Sequence, residues 1–275
     1  MIDPFTRQLV KYHRAGGHNK NCNPVVLMYH GLHTGIRPGK WKWSVPVDRF
    51  RKQMLFLASG GWTTFCISDL KHVYDLPPCS VAITFDDGFR DNYDLALPVI
   101  VELGLCATWF IVSRDIGKRA GWSHPSPYNN HLLDSGQIRR MAASGMEIGA
   151  HSRTHSDLTM FSEKELRDEI AGSKRDIENI TGSGISSFAY PFGRWNDLVL
   201  KITAEAGYQF ACTTSTGRVC HTVNSMLVPR VAVFADDTTS SFARKLVYAS
   251  TRVEWEQIIK NKIAGLAGKV KRSLK

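Results

Sequence analysis

Residues 79–88 read Cys-Ser-Val-Ala-Ile-Thr-Phe-Asp-Asp-Gly, and the question they raise is why an apolar run should end on Asp86 and Asp87. The run 81–85 is almost wholly apolar, as suits a strand buried on both faces, and such strands belong to parallel sheets covered by helices. Two adjacent carboxylates repel each other, and burying either costs free energy unless a cation, a donor or a proton compensates. A positive partner is therefore expected close by. Gly88 lets the chain turn sharply straight after the pair.

Working outward, further strands are predicted at 25–30, 63–66, 106–112, 146–150, 187–190, 209–213 and 228–233. Helix-period segments lie between them. The segment 47–61 stops at Gly60-Gly61 and the segment 134–145 stops at Gly145. Ser162 and Glu165 stand in capping-box spacing at the head of a helix that stops near Gly182, and a last core helix runs from Asn196 or Asp197 to Gly207. Eight apolar strands alternating with helices predict an α/β fold, most economically a closed or nearly closed barrel. An open doubly wound sheet competes, but no glycine-rich phosphate loop follows any strand. In either fold, function gathers at the C-terminal ends of the strands.

With 275 residues and 43% hydrophobic content the chain can bury a large core. The first twenty residues lack an apolar stretch of signal-peptide length, and no run approaches the ~20 apolar residues of a membrane span. The expected location is cytoplasmic, or peripheral at the inner membrane face. Six cysteines occur without a C-x-x-C pair, and Cys66, Cys106 and Cys212 fall in apolar runs; they read as buried free thiols in a reducing compartment. The net charge is +10, and from Lys260 to Lys275 there are six basic residues and no acid. Trp255, Ile259, Ile263, Leu266 and Val270 recur there at helical spacing. That segment suits an anionic membrane surface, or packing against the barrel, or a solvated tail.

The chemistry lies in what stands at each strand end. His30 closes the first strand, Asp86 and Asp87 the third, and His151 and His155 the fifth in the sequence His-Ser-Arg-Thr-His. Tyr190 closes the sixth ahead of Pro191-Phe192-Gly193, and Arg230 stands within the last. In a barrel these ends converge on one mouth. A carboxylate and two imidazoles suit a borderline divalent ion such as zinc, with positions left for water and substrate. One carboxylate can ligate while the other takes a proton as general base. Taken alone, Asp-Asp-Gly is more often a turn and H-x-x-x-H a polar pairing; their joint placement at consecutive strand ends favours a site.

At these residues the chain resembles the polysaccharide deacetylase family, the NodB-like carbohydrate esterases of family four. Thr84 to Gly88 resemble the first family motif, His151 to His155 the second and Tyr190 to Gly193 the third. The resemblance implies a distorted (β/α)7 barrel over residues 25–240, preceded by an N-terminal extension (1–24) and followed by a basic amphipathic segment (241–275). It implies metal-dependent hydrolysis of N-acetyl groups on amino sugars, with Asp86 as general base, Asp87, His151 and His155 as ligands of one divalent ion, most simply zinc, and the Phe192 backbone N–H as an oxyanion donor. No nucleic-acid partner is expected.

Three departures from the family pattern bear on the proton donor. Tyr190 stands where an arginine is usual, the fourth motif has no match, and the fifth is replaced by Leu-Val-Pro-Arg-Val-Ala-Val at 227–233. The opening Leu27 to Leu32 and the strand carrying Pro229-Arg230 resemble the branch that acts on exopolysaccharides such as poly-N-acetylglucosamine. Arg230 is expected to pair with Asp86, orienting it and keeping it ionised. His30 is favoured over His221 as general acid, with a structural role as its alternative. Tyr190, Pro191 and Trp195 are candidate substrate contacts; Trp122 and Tyr128 lie in the glycine- and proline-rich insertion 113–136, and Trp109 reads as core. The predicted activity is an N-deacetylase acting on a bacterial surface glycan or its lipid-linked precursor. The alternatives are a glycan-binding protein of the same fold and a hydrolase of O-acetyl or N-formyl groups.

Overall fold

Parity along the strands decides which residues face which layer. In β1 (Val25–Tyr29) and β5 (Ser80–Phe85), Val25, Leu27, Tyr29, Val81, Ile83 and Phe85 pack toward the helices, whereas Val26 and Ala82 join a separate inner cluster with Phe110, Ala189 and Cys212. Asp86 has the parity of Ala82 and Thr84, so the end of β5 delivers it to the inside of a barrel. The computed structural model describes residues 2–14, 23–35, 41–122, 131–220 and 223–253. The predicted C-terminal amphipathic stretch, Tyr128 and His221 lie outside the described residues.

The main sheet is parallel. Its path runs β10 (Val231–Ala232), β1, β5, β6 (Thr108–Ile111), β7 (Glu147–Ala150), β8 (Ser187–Ala189) and β9 (Phe210–Cys212). An eighth strand, β4 (Thr63–Phe65), pairs with the first half of β5 and gives way to β6 along the second half. Val228, just before β10, makes a parallel bridge to Cys212, with its N–H on Ala211 O and its carbonyl taking Thr213 N–H, each at 2.9 Å. The seven-strand path therefore meets itself, which is the distorted (β/α)7 barrel. A second, two-stranded sheet, β2 (Gly31–His33) with β3 (Ser44–Pro46), has no counterpart among the expected strands.

The helices end where the turn chemistry says they should. Glycines 60 and 61 follow α2 (Val47–Ser59), and α4 (Ser135–Ala143) opens on a capping box between Asp134 and Gln137. In α5 (Glu163–Thr181), Ser162 and Glu165 form the expected box and Gly182 ends the helix at φ 69°. Asn196 accepts from Val199 N–H to cap α6 (Asp197–Glu205). A wider helical turn, Asn92–Ala96, leads into α3 (Leu97–Glu102). Between sheet and helices, Tyr29, Phe85 and Trp109 stack face to face at 5.4 and 4.9 Å, and Phe50 of α2 meets two of them edge-on. Trp109 is fully buried, as expected, and such a side chain contributes about 1.5–3 kcal/mol.

The N-terminal helix α1 (Pro4–Arg14) lays Leu9 and Val10 on Ala243 and Val247 of α7 (Thr239–Tyr248), and Arg244 of α7 bonds Asp3 and Thr6. α7 thus crosses residue 240, where the catalytic unit is expected to end. The cysteines differ from expectation in one respect: Cys212 is buried, but Cys66 and Cys106 are partly exposed. The reason is that β4 stops at Phe65 and β6 starts at Thr108, so both thiols sit at strand ends rather than inside strands. Among the described residues no helix is long and apolar enough to cross a membrane.

Candidate active site

Asp86 follows β5 and anchors its own N–H on Tyr29 O at 3.0 Å. Its two carboxylate oxygens accept from the two terminal nitrogens of Arg230, at 2.6 and 2.8 Å, in a bidentate pair. Arg230 is itself fully buried. Its Nε donates to Thr213 O at 2.9 Å, a terminal nitrogen also reaches Thr84 Oγ1 at 3.2 Å, and the guanidinium lies over the Phe110 ring. Burial alone would raise the Asp86 carboxyl, but the charge and hydrogen bonds of Arg230, with His151 and His30, together outweigh it and hold the group below the ordinary carboxylate range. The cation that the acidic pair calls for is therefore supplied by Arg230, the residue just before β10, which stands two strands from β5 in the sheet.

Asp87 takes a positive φ of 73°, which turns its side chain away from Asp86 and toward the second motif. Its Oδ1 lies 3.2 Å from His155 Nε2 and 3.6 Å from His151 Nε2, and has no well-formed hydrogen bond to any protein group. His151 Nδ1 donates to Ala189 O at 2.7 Å. That bond fixes the tautomer and leaves the Nε2 lone pair facing Asp87, the arrangement of a metal-binding imidazole. Burial lowers His151 to about 4, so the ring is neutral at pH 7. The ligating atoms of Asp87, His151 and His155 all lie within 4.8 Å of one another, and all three residues are buried. This is a donor set that fits one zinc-like ion.

The loop that carries the two histidines is held in an unusual shape. Ser152 and His155 have φ of 61° and 57°, and the Ser152 hydroxyl accepts from His155 N–H at 3.0 Å. From α5, the Glu169 carboxylate accepts from Arg153 N–H, Thr154 N–H and the Thr154 hydroxyl, at 2.9–3.0 Å. Arg153 reaches out to Asp168 and Asp176. Positive φ at non-glycine residues costs about 1–3 kcal/mol each and persists only where surroundings enforce it. Sequence pattern offered no hint of the Glu169 anchor, because helical carboxylates of this kind are ordinarily solvated.

Asp86, Asp87, His151 and His155 line one cavity of about 440 Å³ with His30, Trp41, Trp43, Phe89, Trp122, Tyr190 and Phe192. His30 lies tilted against Trp43 with ring centres 4.4 Å apart, and its Nδ1 is buried without a partner. Burial lowers its pKa, against the pull of Asp87 and Asp86. His155 is covered by Trp122, nearly parallel at 5.0 Å, and by Phe192, edge-on at 4.7 Å. Phe192 sits at φ 59° directly before Gly193, whose positive φ and close approach to Thr214 leave no room for a side chain: an added Cβ would lie 2.2 Å from Thr214 Oγ1. Tyr190 is buried and contributes to the cavity wall. Pro191 is buried behind it, and Trp195 stands exposed, outside the lining residues. Trp41 and Trp43, which sequence reading passed over, come from the approach to β3, and only the small β2–β3 sheet brings them to the mouth.

A model of the polysaccharide deacetylase family matches residues 74–211, the span from the approach to β5 through β9. A Bacillus subtilis (strain 168) protein, YxkH, whose provisional name is polysaccharide deacetylase, is 30% identical over 221 residues, covering 79% of this chain and 74% of its own. Poly-beta-1,6-N-acetyl-D-glucosamine N-deacetylase of Staphylococcus aureus (strain MSSA476) is 22% identical over 70% of this chain and 69% of its own. Among solved structures, a polysaccharide deacetylase from Bacillus cereus superposes with a TM-score of 0.71 at 26% identity, over 82% of this chain and 69% of that one.

Proposed function

The chain belongs to the polysaccharide deacetylase family, and from that premise we propose that it is a metal-dependent N-deacetylase of amino-sugar residues in a bacterial surface polysaccharide or its lipid-linked precursor. The observation that carries the reading is the pairing of two differently equipped carboxylates in one cavity: Asp86 clamped by Arg230, Asp87 turned toward the Nε2 atoms of His151 and His155. The likeness to the staphylococcal enzyme supports poly-N-acetylglucosamine or a related glycan as the substrate class.

Asp87, His151 and His155 would hold one divalent ion, zinc by the character of the donors. When bound, such an ion polarises the acyl carbonyl and acidifies a neighbouring water. Asp86 removes the proton of the attacking water. Arg230 keeps it ionised and fixes the orientation of its oxygens, because both are held by the guanidinium fork. The backbone N–H of Phe192, in its positive-φ turn, donates to the oxyanion that develops on the acyl carbon. His30, with Nδ1 unpartnered at the same cavity, gives the departing amine its proton. Trp41, Trp43 and Trp122 offer faces on which pyranose rings stack.

The test is a substitution that keeps the metal ligands and removes the base. Asp86→Asn should retain one equivalent of zinc and lose acetate release from N-acetylglucosamine oligomers by ~10²–10⁴-fold. Full release in that variant sinks the assignment of Asp86. Zinc bound by the wild type without any release of acetate, on oligomers that it demonstrably binds, points instead to a glycan-binding protein.

A further inference from the structure

At the end of the barrel opposite the mouth, β4 gives way to β6 along the flank of β5, and two hydrogen bonds pin the exchange. Cys106 N–H donates to Thr64 Oγ1 and Ile67 N–H donates to Thr108 Oγ1, both at 3.1 Å. Cys66 is the residue after β4 and Cys106 lies just before β6, so the two bonds bracket both thiols. Cys106 Sγ is 3.4 Å from Thr64 Oγ1, and Cys66 Sγ is 3.7 Å from Ala107 O. Each thiol thus lies against the other cysteine's segment. Both are partly exposed, and both line a floor cavity of about 600 Å³ with Asp69 and Glu147.

We propose that Cys66 and Cys106 form a redox-active dithiol that closes to an intramolecular disulfide by exchange with a small-molecule disulfide. Contact with the Cys66 thiol, outweighing burial, brings Cys106 down to about 7, and the same contact with burial pushes Cys66 up. Cys106 is therefore the nucleophile, partly thiolate at neutral pH. Its sulfur attacks one sulfur of the reagent and expels one thiolate, leaving a mixed disulfide on Cys106. Cys66, giving its proton to the released thiolate, then attacks the Cys106 sulfur and expels the second thiolate. Two cysteine thiols are oxidised and one reagent disulfide is reduced to two thiols. Cys212 offers a contrast: fully buried, its thiol is pushed up to about 12 and stays inert.

The loop that the bond closes, residues 66–106, contains β5, Asp86 and Asp87, so closure restrains the unfolded chain across the segment that carries the carboxylate pair. The mouth itself stays open, because the bond forms at the far end of the strands.

The experiment treats the full chain with oxidised glutathione at neutral pH and follows intact mass and unreduced peptide maps. The wild type should lose the mass of two hydrogens, yield one cross-linked peptide joining Cys66 to Cys106, return to its starting mass with dithiothreitol, and melt at a higher temperature when oxidised. Cys66→Ser should instead hold a stable glutathione adduct on Cys106. A wild type that stays at its reduced mass, or that carries adducts which never resolve into the cross-link, overturns the proposal. The wild-type mass and peptide map decide it, whatever the folding of the serine variant.

Discussion

At the floor of the barrel the Glu147 carboxylate accepts from Ser68 N–H with both oxygens at 3.2 Å and from the Thr108 hydroxyl at 2.6 Å; at the mouth the Asp87 Oδ1 has no good donor, and His30 Nδ1 and His155 Nδ1 are buried beside it without partners. The same strands run through both ends. Of the six non-glycine residues with positive φ among those described, Asp87, Ser152, His155 and Phe192 belong to the mouth. An unsatisfied buried polar atom costs about 1–3 kcal/mol, and strained backbone adds to that. The floor is built for stability, and the mouth holds groups that are complete only when something else enters.

The largest expected effect comes from breaking the buried ion pair at the mouth. Arg230→Ala strands the Asp86 carboxylate in the interior, and chemical denaturation should report a loss of about 3–5 kcal/mol. Acetate release should fall with it, while Arg230→Lys, which cannot make the bidentate contact, should recover stability more than turnover. Asp86→Asn removes the base and leaves the buried Arg230 guanidinium without its carboxylate, so turnover per folded molecule should drop ~10²–10⁴-fold and stability should fall as well. If both substitutions leave release intact, the mouth is not catalytic.

A smaller effect sharpens the contrast in strain. Gly193→Ala places a methyl against Thr214 at a positive φ, so the turn that presents the Phe192 N–H must shift; a stability loss of about 1–3 kcal/mol is expected, together with lower turnover. At the floor, Glu147→Gln should cost a comparable 1–3 kcal/mol in denaturation and leave turnover per folded molecule unchanged. A fall in turnover there would erase the distinction between the two ends.

How much of this was legible beforehand follows from the range of each signal. The strands, the capping residues Ser162 and Asn196, and the inward placement of Asp86, Asp87, His151 and His155 are local: apolar periodicity and turn chemistry report them within a dozen residues. The Arg230 contact was expected from a lone cation inside an apolar run, and the bidentate geometry agrees with it. Trp41, Trp43 and Glu169 were not legible. Their roles depend on how the small β2–β3 sheet folds over the mouth and how α5 docks against the histidine loop, which are tertiary facts with no signature of their own. The Cys66–Cys106 juxtaposition was hidden for the same reason, since β4 and β6 share a flank of β5 only after the sheet forms.

The smallest effect lies outside both ends. Bonds from the Thr6 hydroxyl and N–H hold Asp3 down to about 2 from 3.8, and it steadies α1 on α7. A carboxylate with a depressed folded pKa contributes stability fully present above its ordinary value and lost as pH falls through about 2. Asp3→Asn should remove that acid-sensitive part of the melting temperature and little else, because the group is largely solvated. A strong effect on turnover at neutral pH would mean that the α1–α7 pair communicates with the mouth.

The most direct measurement is acetate release from N-acetylglucosamine oligomers by the full chain, with zinc supplied, then chelated, then restored, alongside the zinc content of each sample. Release that follows zinc content through all three steps, and that is absent from Asp86→Asn at unchanged zinc content, is the expected result. Release that continues at full rate after zinc has been stripped, or an Asp86→Asn variant as active as the wild type, would contradict the account.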